Sequence, residues 1–456
     1  MKDVFHKEII SYVKQSNLSK KFSTEPPQRH TIPLQTALLM STSSPKAAES
    51  FDLYQTLNKA SDGSSITIPS GVYLLNKPLE ISKSVNIAGE TGDPADVTLV
   101  SEHGAAVVIT APSARICAVT FSNQNADELE DSTDLNRSSV VVVNSGQSEL
   151  VNCVITGKGD GLVVSGSQSA PVLRYCKIQS CTCGGVWIID HGRALLYRCS
   201  VSQCCHAALA VCDHSVVKAI KTEVHHGYNI GAYIYQNSFG RFRDCSFHHN
   251  ALTGFEIKNE SDCVCESCQM SHNQEHGVCV WDNCLGRFEH CDIYDNMSIQ
   301  FLSLNSSPQL VDCQIHESPG IGVMFHDKSG GQMESCEVCN TADAAVVVSE
   351  SSEPSITDCV FHNVRQSGVM CILNAQGRFK NCEICLCRAG GVFIADNASP
   401  TFIDCYIHHN KECGVQILNQ GEGKFYNNSF FDNCGNNWLI EDTAGEVVRE
   451  ENSPNW

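Results

Sequence analysis

Acidic and basic side chains recur in pairs near the middle of the chain. Asp190, His191 and Arg193 lie in the sequence "DHGR", and Asp213 and His214 follow further along the chain as "DH". Paired carboxylates can act as general acid and general base in the cleavage of a glycosidic bond. These five residues are therefore candidate catalytic residues, provided that the fold brings the two pairs together.

Histidines form a second cluster of residues that could do chemistry. Its members are His225, His226, His248, His249 and His272. Neighbouring imidazoles can bind a transition metal, whereas exposed turn positions would leave them simply solvated. The sequence "CVCESC" at 263–268 resembles a zinc cluster, but Cys268 belongs to a regular cysteine column described next. We therefore predict no bound metal and no cofactor.

A cysteine column that repeats about every 23 residues sets the positions of these clusters. Its members are Cys153, Cys176, Cys199, Cys245, Cys268, Cys291, Cys313, Cys336, Cys359, Cys382 and Cys405. The interval is one residue shorter between Cys291 and Cys313, and it is doubled between Cys199 and Cys245, where Thr222 takes the missing place. About fourteen copies of one unit therefore extend from about residue 105 to residue 440.

Each unit contains three short apolar runs separated by turn residues and leaves no room for a helix. This predicts an all-β fold, a right-handed parallel β-helix of three sheets with about 23 residues per coil, because stacked coils bury surface that one coil exposes. Identical positions then lie about 4.8 Å apart in successive coils. The cysteine and the residue two positions later should point inward. Asparagines five positions after the cysteine should form a hydrogen-bonded ladder: Asn250, Asn273, Asn296, Asn410 and Asn433.

Domain boundaries follow from this repeat. Residues 1–50 should form an N-terminal helix and linker, and residues 51–440 the β-helix. Within the β-helix, residues 51–104 should form a helical segment and cap coils, and residues 123–138 an acidic insert. Residues 441–456 should form a C-terminal tail.

The repeat also offers a second interpretation of the first cluster. Fourteen positions after the cysteine, nearly every unit carries a carboxylate or an amide, and Asp190 and Asp213 belong to this column. Asp and Asn favour turns because their side chains bond to nearby backbone groups. Turn formation would thus explain both aspartates without catalysis.

The third run of each unit carries an unexpected apolar stripe. Its inward residues are apolar, as in Val186 and Ile188, but many alternate residues, which should be polar if the sheet faced water, are apolar as well. The candidate binding residues are Trp187, Tyr233, Tyr235, Trp281, Leu302, Met324, Met370 and Phe393. Such a stripe predicts a surface for a protein partner. A sugar-binding groove is one alternative, and a cover formed by the N-terminal segment or the acidic insert is another.

Composition excludes several partners. A net charge of −20 disfavours nucleic acids and anionic membranes, and no run approaches the 18 apolar residues of a membrane span. The first residues lack the apolar core of a signal peptide. The 27 cysteines then indicate thiols in a reducing compartment. We predict a cytoplasmic or nuclear protein without membrane insertion.

Residues 51–90 resemble the entrance of the pectin-lyase-like right-handed β-helix superfamily. A short helix precedes the turn Pro69-Ser70-Gly71-Val72-Tyr73, and a strand ends at Gly89. Units such as "GVFIADNASPTFIDCYIHHN" are similar to the β-helix repeats of F-box-only substrate receptors and of the Shc SH2-domain-binding protein. No F-box is recognisable at the N-terminus, so a ubiquitin-ligase role is not expected.

The resemblance implies the fold but leaves function open, because the superfamily includes hydrolases, lyases, epimerases and non-catalytic binding modules. Its polygalacturonase-type motifs are not intact here. Its calcium-dependent lyases need a carboxylate cluster with a basic residue, for which "KNE" (258–260) with "DN" (282–283) is a weaker candidate.

We therefore expect an intracellular, non-catalytic binding or scaffold protein that engages a partner protein through the aromatic-rich outer sheet face. The alternative is a carbohydrate-active hydrolase, lyase or epimerase with an acidic cleft on the β-helix.

Overall fold

The computed structural model describes residues 51–125 and 139–453. The predicted N-terminal helix and linker, and residues 126–138 of the predicted acidic insert, lie outside the described residues. Within them the α-helix is Leu53–Lys59, and Asp52 caps it by accepting a hydrogen bond from the Gln55 N–H at 2.9 Å. A 3₁₀ turn spans Pro94–Asp96.

The described strands form three sheets, which the chain visits in turn. Sheet 1 consists of Ser65–Ile68, Asn86–Gly89, Arg115–Cys117, Glu149–Val151, Val172–Arg174, Arg193–Tyr197, Val216–Ile220, Phe239–Arg243, Asp262–Glu266, Arg287–Glu289, Gln309–Val311, Gln332–Glu334, Ser355–Thr357, Arg378–Lys380, Thr401–Ile403, Gly423–Tyr426 and Val447–Glu450. Sheet 2 consists of Gly71–Leu75, Val97–Ser101, Thr120–Asn123, Val154–Gly157, Lys177–Cys181, Ser200–Ser202, Glu223–His225, Ser246–His248, Gln269–Ser271, Asp292–Tyr294, Gln314–Ser318, Glu337–Thr341, Val360–His362, Glu383–Cys385, Tyr406–His408 and Ser429–Phe431. Sheet 3 consists of Leu79–Ile81, Val107–Ile109, Ser139–Val143, Asp160–Ser165, Val186–Ile189, Leu209–Val211, Ala232–Ile234, Phe255–Ile257, Val278–Trp281, Phe301–Leu304, Val323–His326, Val346–Val348, Val369–Cys371, Val392–Ile394, Val415–Ile417 and Trp438–Ile440.

All paired strands run parallel, and each pairs with the strand one coil away. Ile155, for example, pairs with Ile178, and Trp187 pairs with Ala210. This arrangement confirms the predicted parallel β-helix with about 23 residues per coil. Sixteen strands each in sheets 2 and 3, stacked at about 4.8 Å, give an axis of roughly 75 Å.

The β-helix extends further at its C-terminal end than the sequence predicts. Strand Val447–Glu450 pairs with Gly423–Tyr426 in sheet 1, so the predicted tail at 441–456 is wrong over these residues. The Asn428 N–H donates to Asn452 Oδ1 at 2.9 Å, which continues the cysteine column with amides. The last coil, from Asn428 to Asn452, is one residue longer than the regular unit, and this change of period hides it in the sequence.

Apolar side chains close the two ends of the core. At the N-terminal end, Leu53 and Leu57 of the helix are buried in the core cluster. The Lys83 ammonium donates to the carbonyls of Asn58 and Ala60 at 2.8 Å each, which satisfies carbonyls at the helix C-terminus. At the C-terminal end, Trp438 packs against Phe425 and Phe430. Both ends of the stack are thus covered, as a solenoid requires.

The cysteine column points inward, as predicted, at the corner between sheets 1 and 2. The Cys176 thiol donates to the carbonyls of Arg174 at 3.5 Å and Leu150 at 3.3 Å. Thr222 replaces cysteine in the same way, since its hydroxyl donates to the Ile220 carbonyl at 3.3 Å. The position therefore suits a small side chain that fills a narrow core and also donates a hydrogen bond.

Burial keeps the column thiols away from solvent. The neighbouring Cys176 thiol and burial raise the pKa of Cys199, and burial raises the pKa of Cys371. All 27 cysteines lie in the part of the chain that the structure describes, and all are free thiols. Those that reach solvent are Cys117, Cys183, Cys205, Cys339 and Cys434.

The asparagine ladder is also confirmed, at the corner between sheets 2 and 3. Asn250 Nδ2 donates to Asn273 Oδ1 at 3.0 Å, and Asn273 Nδ2 donates to Asn296 Oδ1 at 2.8 Å. Asn296 Nδ2 then donates to Gln300 Oε1 at 2.6 Å, where the coil is one residue shorter. The three ladder asparagines are fully buried, so each amide must find its partners within the stack.

Thiol titration provides a test of the buried column. Native protein should react at about the five solvent-reaching cysteines, and denaturant without reductant should release the remainder of the 27. The measurement is the count of thiols modified by a chromogenic disulfide before and after unfolding. Thiols that stay unreactive until reductant is added would contradict the free-thiol column.

Substitution of Asn273 tests the ladder. Asn273→Leu removes the Oδ1 that accepts from the backbone N–H and the side-chain amide of the buried Asn250. It also removes one of the two donors to Asn296 Oδ1, since only the backbone N–H of residue 273 remains. A buried polar group that loses its partner costs about 1–3 kcal/mol of the free energy of unfolding. Gln274→Leu, at the exposed neighbouring position, is the control and should change little. Urea unfolding of both variants measures the difference, and equal stabilities would contradict the ladder's role.

Candidate functional site

The predicted catalytic aspartates lie in an exposed turn. Asp190, His191, Asp213 and His214 all have left-handed backbones, with φ between 53° and 62°, at the corner where the chain passes from sheet 3 to sheet 1. The rings of His191 and His214 stack with centroids 5.3 Å apart, so the structure does bring the two pairs together. Arg193 is exposed at the start of the following strand. Short polar side chains tolerate the left-handed conformation, which accounts for both aspartates as turn residues.

The apolar stripe lies on the outer face of sheet 3. Alternate residues such as Val186 and Ile188 belong to the core, while Trp187 points away from it. Four of the predicted binding residues are nevertheless almost fully buried: Trp281, Leu302, Met324 and Met370. The other four are half-buried: Trp187, Tyr233, Tyr235 and Phe393. A binding role for these eight residues stays a prediction.

Charged residues interrupt the stripe in one coil. Glu256 and Lys258 take the two outward positions, and each is only 7% exposed. Lys258 Nζ lies 3.8 Å from Asp282 Oδ2 and 4.0 Å from the centre of the Trp281 ring. Buried charges on an outer sheet face are costly unless they are paired, so their presence marks the site.

Tyrosines flank this charged coil on its N-terminal side. Tyr233 pairs directly with Glu256, and the rings of Tyr233 and Tyr235 stack with centroids 4.3 Å apart. We call Tyr233, Tyr235, Glu256, Lys258, Trp281 and Asp282 the outer-face cluster. The tyrosines are half-buried and the Asp282 side chain is 49% exposed, so the cluster borders solvent.

Glu256 has the properties of a proton donor. Burial and the nearby Glu275 carboxylate raise its pKa to about 8, and Lys258 and Trp281 offset them only in part. The carboxyl is therefore protonated at neutral pH, which is the state a general acid needs. Sequence reasoning named Lys258 and Asp282 but missed Glu256. The signal available was a carboxylate at an outward position that is apolar or aromatic in the neighbouring coils.

The histidine cluster stacks along the axis as two short columns. The rings of His225 and His248 lie 5.1 Å apart, and those of His226, His249 and His272 follow at 4.8 Å each. Burial and the neighbouring imidazoles lower the pKa of His248 to about 4. The His248 imidazole is therefore neutral at physiological pH.

Compact groups of three metal-binding side chains lie elsewhere in the described residues. They are Glu337, Cys339 and His362, and Glu383, Cys385 and His408, with the ligand atoms of each group within 4.8 Å of one another. Sequence reasoning missed both groups. The available signal was the repeated "EVC" (337–339) and "EIC" (383–385), each followed one coil later by histidine.

A polar cavity of about 600 Å³ lies at the corner between sheets 1 and 2. Its lining includes Asp358, Asn381, Asp404 and Asn427. These side chains bond to one another, since Asn427 Nδ2 donates to Asp404 Oδ1 at 2.7 Å and Asn381 Nδ2 to Asp358 Oδ1 at 2.5 Å. The cavity contains none of the predicted site residues.

The raised pKa of Glu256 predicts a pH-dependent stability. Between the ordinary value near 4.5 and the folded value of about 8, the folded state binds more protons than the unfolded state. Stability should therefore fall as pH rises through this window, by up to about 1.4 kcal/mol per pH unit. Urea unfolding at pH 5, 6, 7 and 8 measures this slope.

Two variants test whether Glu256 causes this change of stability with pH. Glu256→Gln should flatten the slope, because glutamine does not titrate. Glu80→Gln, at an exposed outward position of the same sheet, should keep the wild-type slope. Equal slopes for wild type and Glu256→Gln would show that Glu256 is not protonated in the folded state.

Several solved structures of other proteins are similar to this chain at low sequence identity. The solved structures that are similar include the A-module of mannuronan C-5 epimerase AlgE6 from Azotobacter vinelandii (14% identity, 88% of this chain and 94% of that chain, TM-score 0.37). They also include pectin methylesterase PemA from Erwinia chrysanthemi (14%, 46% and 78%, 0.34) and an α-1,3-glucanase from Streptomyces thermodiastaticus (12%, 88% and 68%, 0.37). Such identities and TM-scores carry no inference about activity. No curated protein matches the sequence.

The described residues contain no helix that is long and apolar enough to span a membrane. The protein-family model described as "right handed beta helix region" matches residues 105–251, 161–307 and 299–453, which together cover most of the chain. These matches and the three parallel sheets agree on the fold. The chain belongs to the right-handed β-helix family.

Proposed function

We propose that this chain is a carbohydrate-active enzyme that cleaves a neutral polysaccharide at the outer-face cluster. The observation that carries the proposal is Glu256, a buried carboxyl with a pKa of about 8 beside Lys258 and Asp282. Residues with a strongly shifted pKa and a specific charged partner are concentrated at functional sites. The catalytic function thus moves from Asp190 and Asp213 to the adjacent sheet.

Hydrolysis of a glycosidic bond needs one proton donor and one ionised carboxylate. Glu256 would donate its proton to the leaving oxygen as the bond between the anomeric carbon and that oxygen breaks. Asp282 would accept a proton from the water that adds to the anomeric carbon. Lys258 Nζ, 3.8 Å from Asp282 Oδ2, forms an ion pair with that carboxylate.

The surrounding side chains favour an uncharged substrate. The half-buried Tyr233 and Tyr235 provide apolar ring surface for sugar rings, while their hydroxyl groups can bond to sugar hydroxyls. Glu275 and Asp282 add negative charge at the site, and the whole chain carries −20. A polyanionic chain of uronic acids would therefore be repelled.

Reducing-end assays on a panel of neutral glucans, galactans and mannans test the proposal, with polyuronates as the charged comparison. Glu256→Gln should lower kcat at least about 100-fold, the range found for loss of a general acid. Gln416 occupies the same outward column and is buried, so glutamine fits this position and the fold should survive.

The control is the double variant Asp190→Asn with Asp213→Asn, which should keep wild-type activity. Activity lost in this variant and kept in Glu256→Gln would move catalysis to the turn. No cleavage of any polysaccharide by the wild-type protein would contradict the enzymatic function.

A protein-binding scaffold is the second candidate function. The observation that favours it is the presence of half-buried aromatic rings, Trp187 and Phe393, at outward positions of sheet 3. Trp187→Ala with Phe393→Ala removes two half-buried rings outside the outer-face cluster. This variant should lose a partner protein that copurifies with wild type, while its melting temperature stays unchanged. Recovery of that partner at wild-type yield would contradict binding at this face.

The free cysteines support a reducing compartment, and the cytoplasm or nucleus stays our prediction.

A further inference from the structure

Two identical sets of metal-binding side chains lie on the outer face of sheet 2. In the first, Glu337 and Cys339 share one strand and His362 lies directly opposite Cys339 in the next. In the second, Glu383 and Cys385 share a strand and His408 lies opposite Cys385. The second set repeats the first two coils further along the axis.

The distances within each set suit a small cation. His362 Nε2 lies 2.8 Å from Glu337 Oε1, and His408 Nε2 lies 3.1 Å from Glu383 Oε1. Cys385 Sγ lies 3.7 Å from the same Glu383 oxygen. Ligand atoms around a tetrahedral zinc ion are separated by about 3.3–3.8 Å, given bonds of about 2.0–2.3 Å. Small side-chain shifts would therefore bring all three ligands into place.

The chemistry of the donors selects the class of metal. A thiolate, an imidazole and a carboxylate are the three ligand types that proteins use for Zn²⁺, whereas Mg²⁺ and Ca²⁺ prefer oxygen alone. We propose that Glu337, Cys339 and His362 bind one Zn²⁺ ion, and that Glu383, Cys385 and His408 bind a second.

Each site has an entry path and a fourth coordination position. The side chains of Glu337 and Glu383 are 46% and 44% exposed, while His362 and His408 are 20% and 13% exposed. A cation can therefore reach the ligands from solvent, and water can complete a tetrahedron. Because each site joins residues of adjacent coils, bound zinc would also link those coils.

Neighbouring residues already hold the far side of each imidazole. His408 Nδ1 lies 2.7 Å from His409 Nδ1, and His362 Nδ1 lies 2.8 Å from the Asn363 side-chain amide. A metal-binding histidine commonly engages its second ring nitrogen in this way, which fixes the ring orientation. A flip of the Asn363 amide, which exchanges its oxygen and nitrogen, would present the oxygen to a protonated Nδ1.

Cobalt(II) is the probe for the test, because thiolate ligands give it an intense sulfur-to-metal charge-transfer band. Full-length reduced protein should bind two equivalents of Co²⁺ with this band, and Zn²⁺ should displace both. Cys339→Ser and Cys385→Ser should each lower the stoichiometry from two to one, and the double variant should abolish the band.

Control measurements show whether the band depends on Cys339 and Cys385 in particular. Ser202 and Ser271 occupy the same outward column as Cys339 and Cys385, so serine should preserve the metal-free melting temperature. Cys434→Ser, at the exposed cysteine, should retain both equivalents. A double variant that keeps the band would overturn the proposal. Binding of Co²⁺ without the band would also overturn it if His248→Ala abolished that binding, because the histidine column would then be the metal site. Failure to bind Co²⁺ would also overturn it, whatever the outcome of the polysaccharide assays.

Discussion

Parallel register is the constraint on which the whole molecule depends. Each residue faces its equivalent one coil away at about 4.8 Å, so like side chains must satisfy one another along the axis. Cys176 donates to a carbonyl of its own coil and to one of the coil before, and Thr222 donates to a carbonyl of its own coil. Asn250, Asn273 and Asn296 pass hydrogen bonds from amide to amide. The repeated cysteine column is therefore a consequence of core geometry.

The candidate sites lie where a residue differs in type from the residues at the same position in neighbouring coils. On sheet 3 this occurs at Glu256, whose neighbours at the same position are Tyr233 in the preceding coil and Cys279 in the following coil. Burial disfavours the charged carboxylate, and this is why the Glu256 pKa rises and the group becomes a possible acid. On sheet 2, cysteine and histidine alternate at one outward position across four coils, and a glutamate lies two residues before each cysteine.

The two candidate sites are separate in the fold and in their chemistry. The outer-face cluster combines a protonated carboxyl, a paired carboxylate and aromatic rings, which suits a neutral sugar. The cysteine, histidine and glutamate groups combine soft and hard donors, which suits a borderline cation. Their locations on different sheets allow each to be altered without the other.

The sequence by itself determined the parallel β-helix, the inward cysteine column and the asparagine ladder, because these follow from the regular period of the repeat. It also placed Asp190 and Asp213 in adjacent coils. Only the tertiary structure decided which polar residues are buried, because exposure depends on everything that packs around an outward position. Burial distinguishes Glu256 from the exposed Asp190 and Asp213, and the last coil to Asn452 was hidden by its altered period. The Glu337, Cys339 and His362 group likewise required three-dimensional distances, since its members come from different coils and no local motif specifies how their side chains converge.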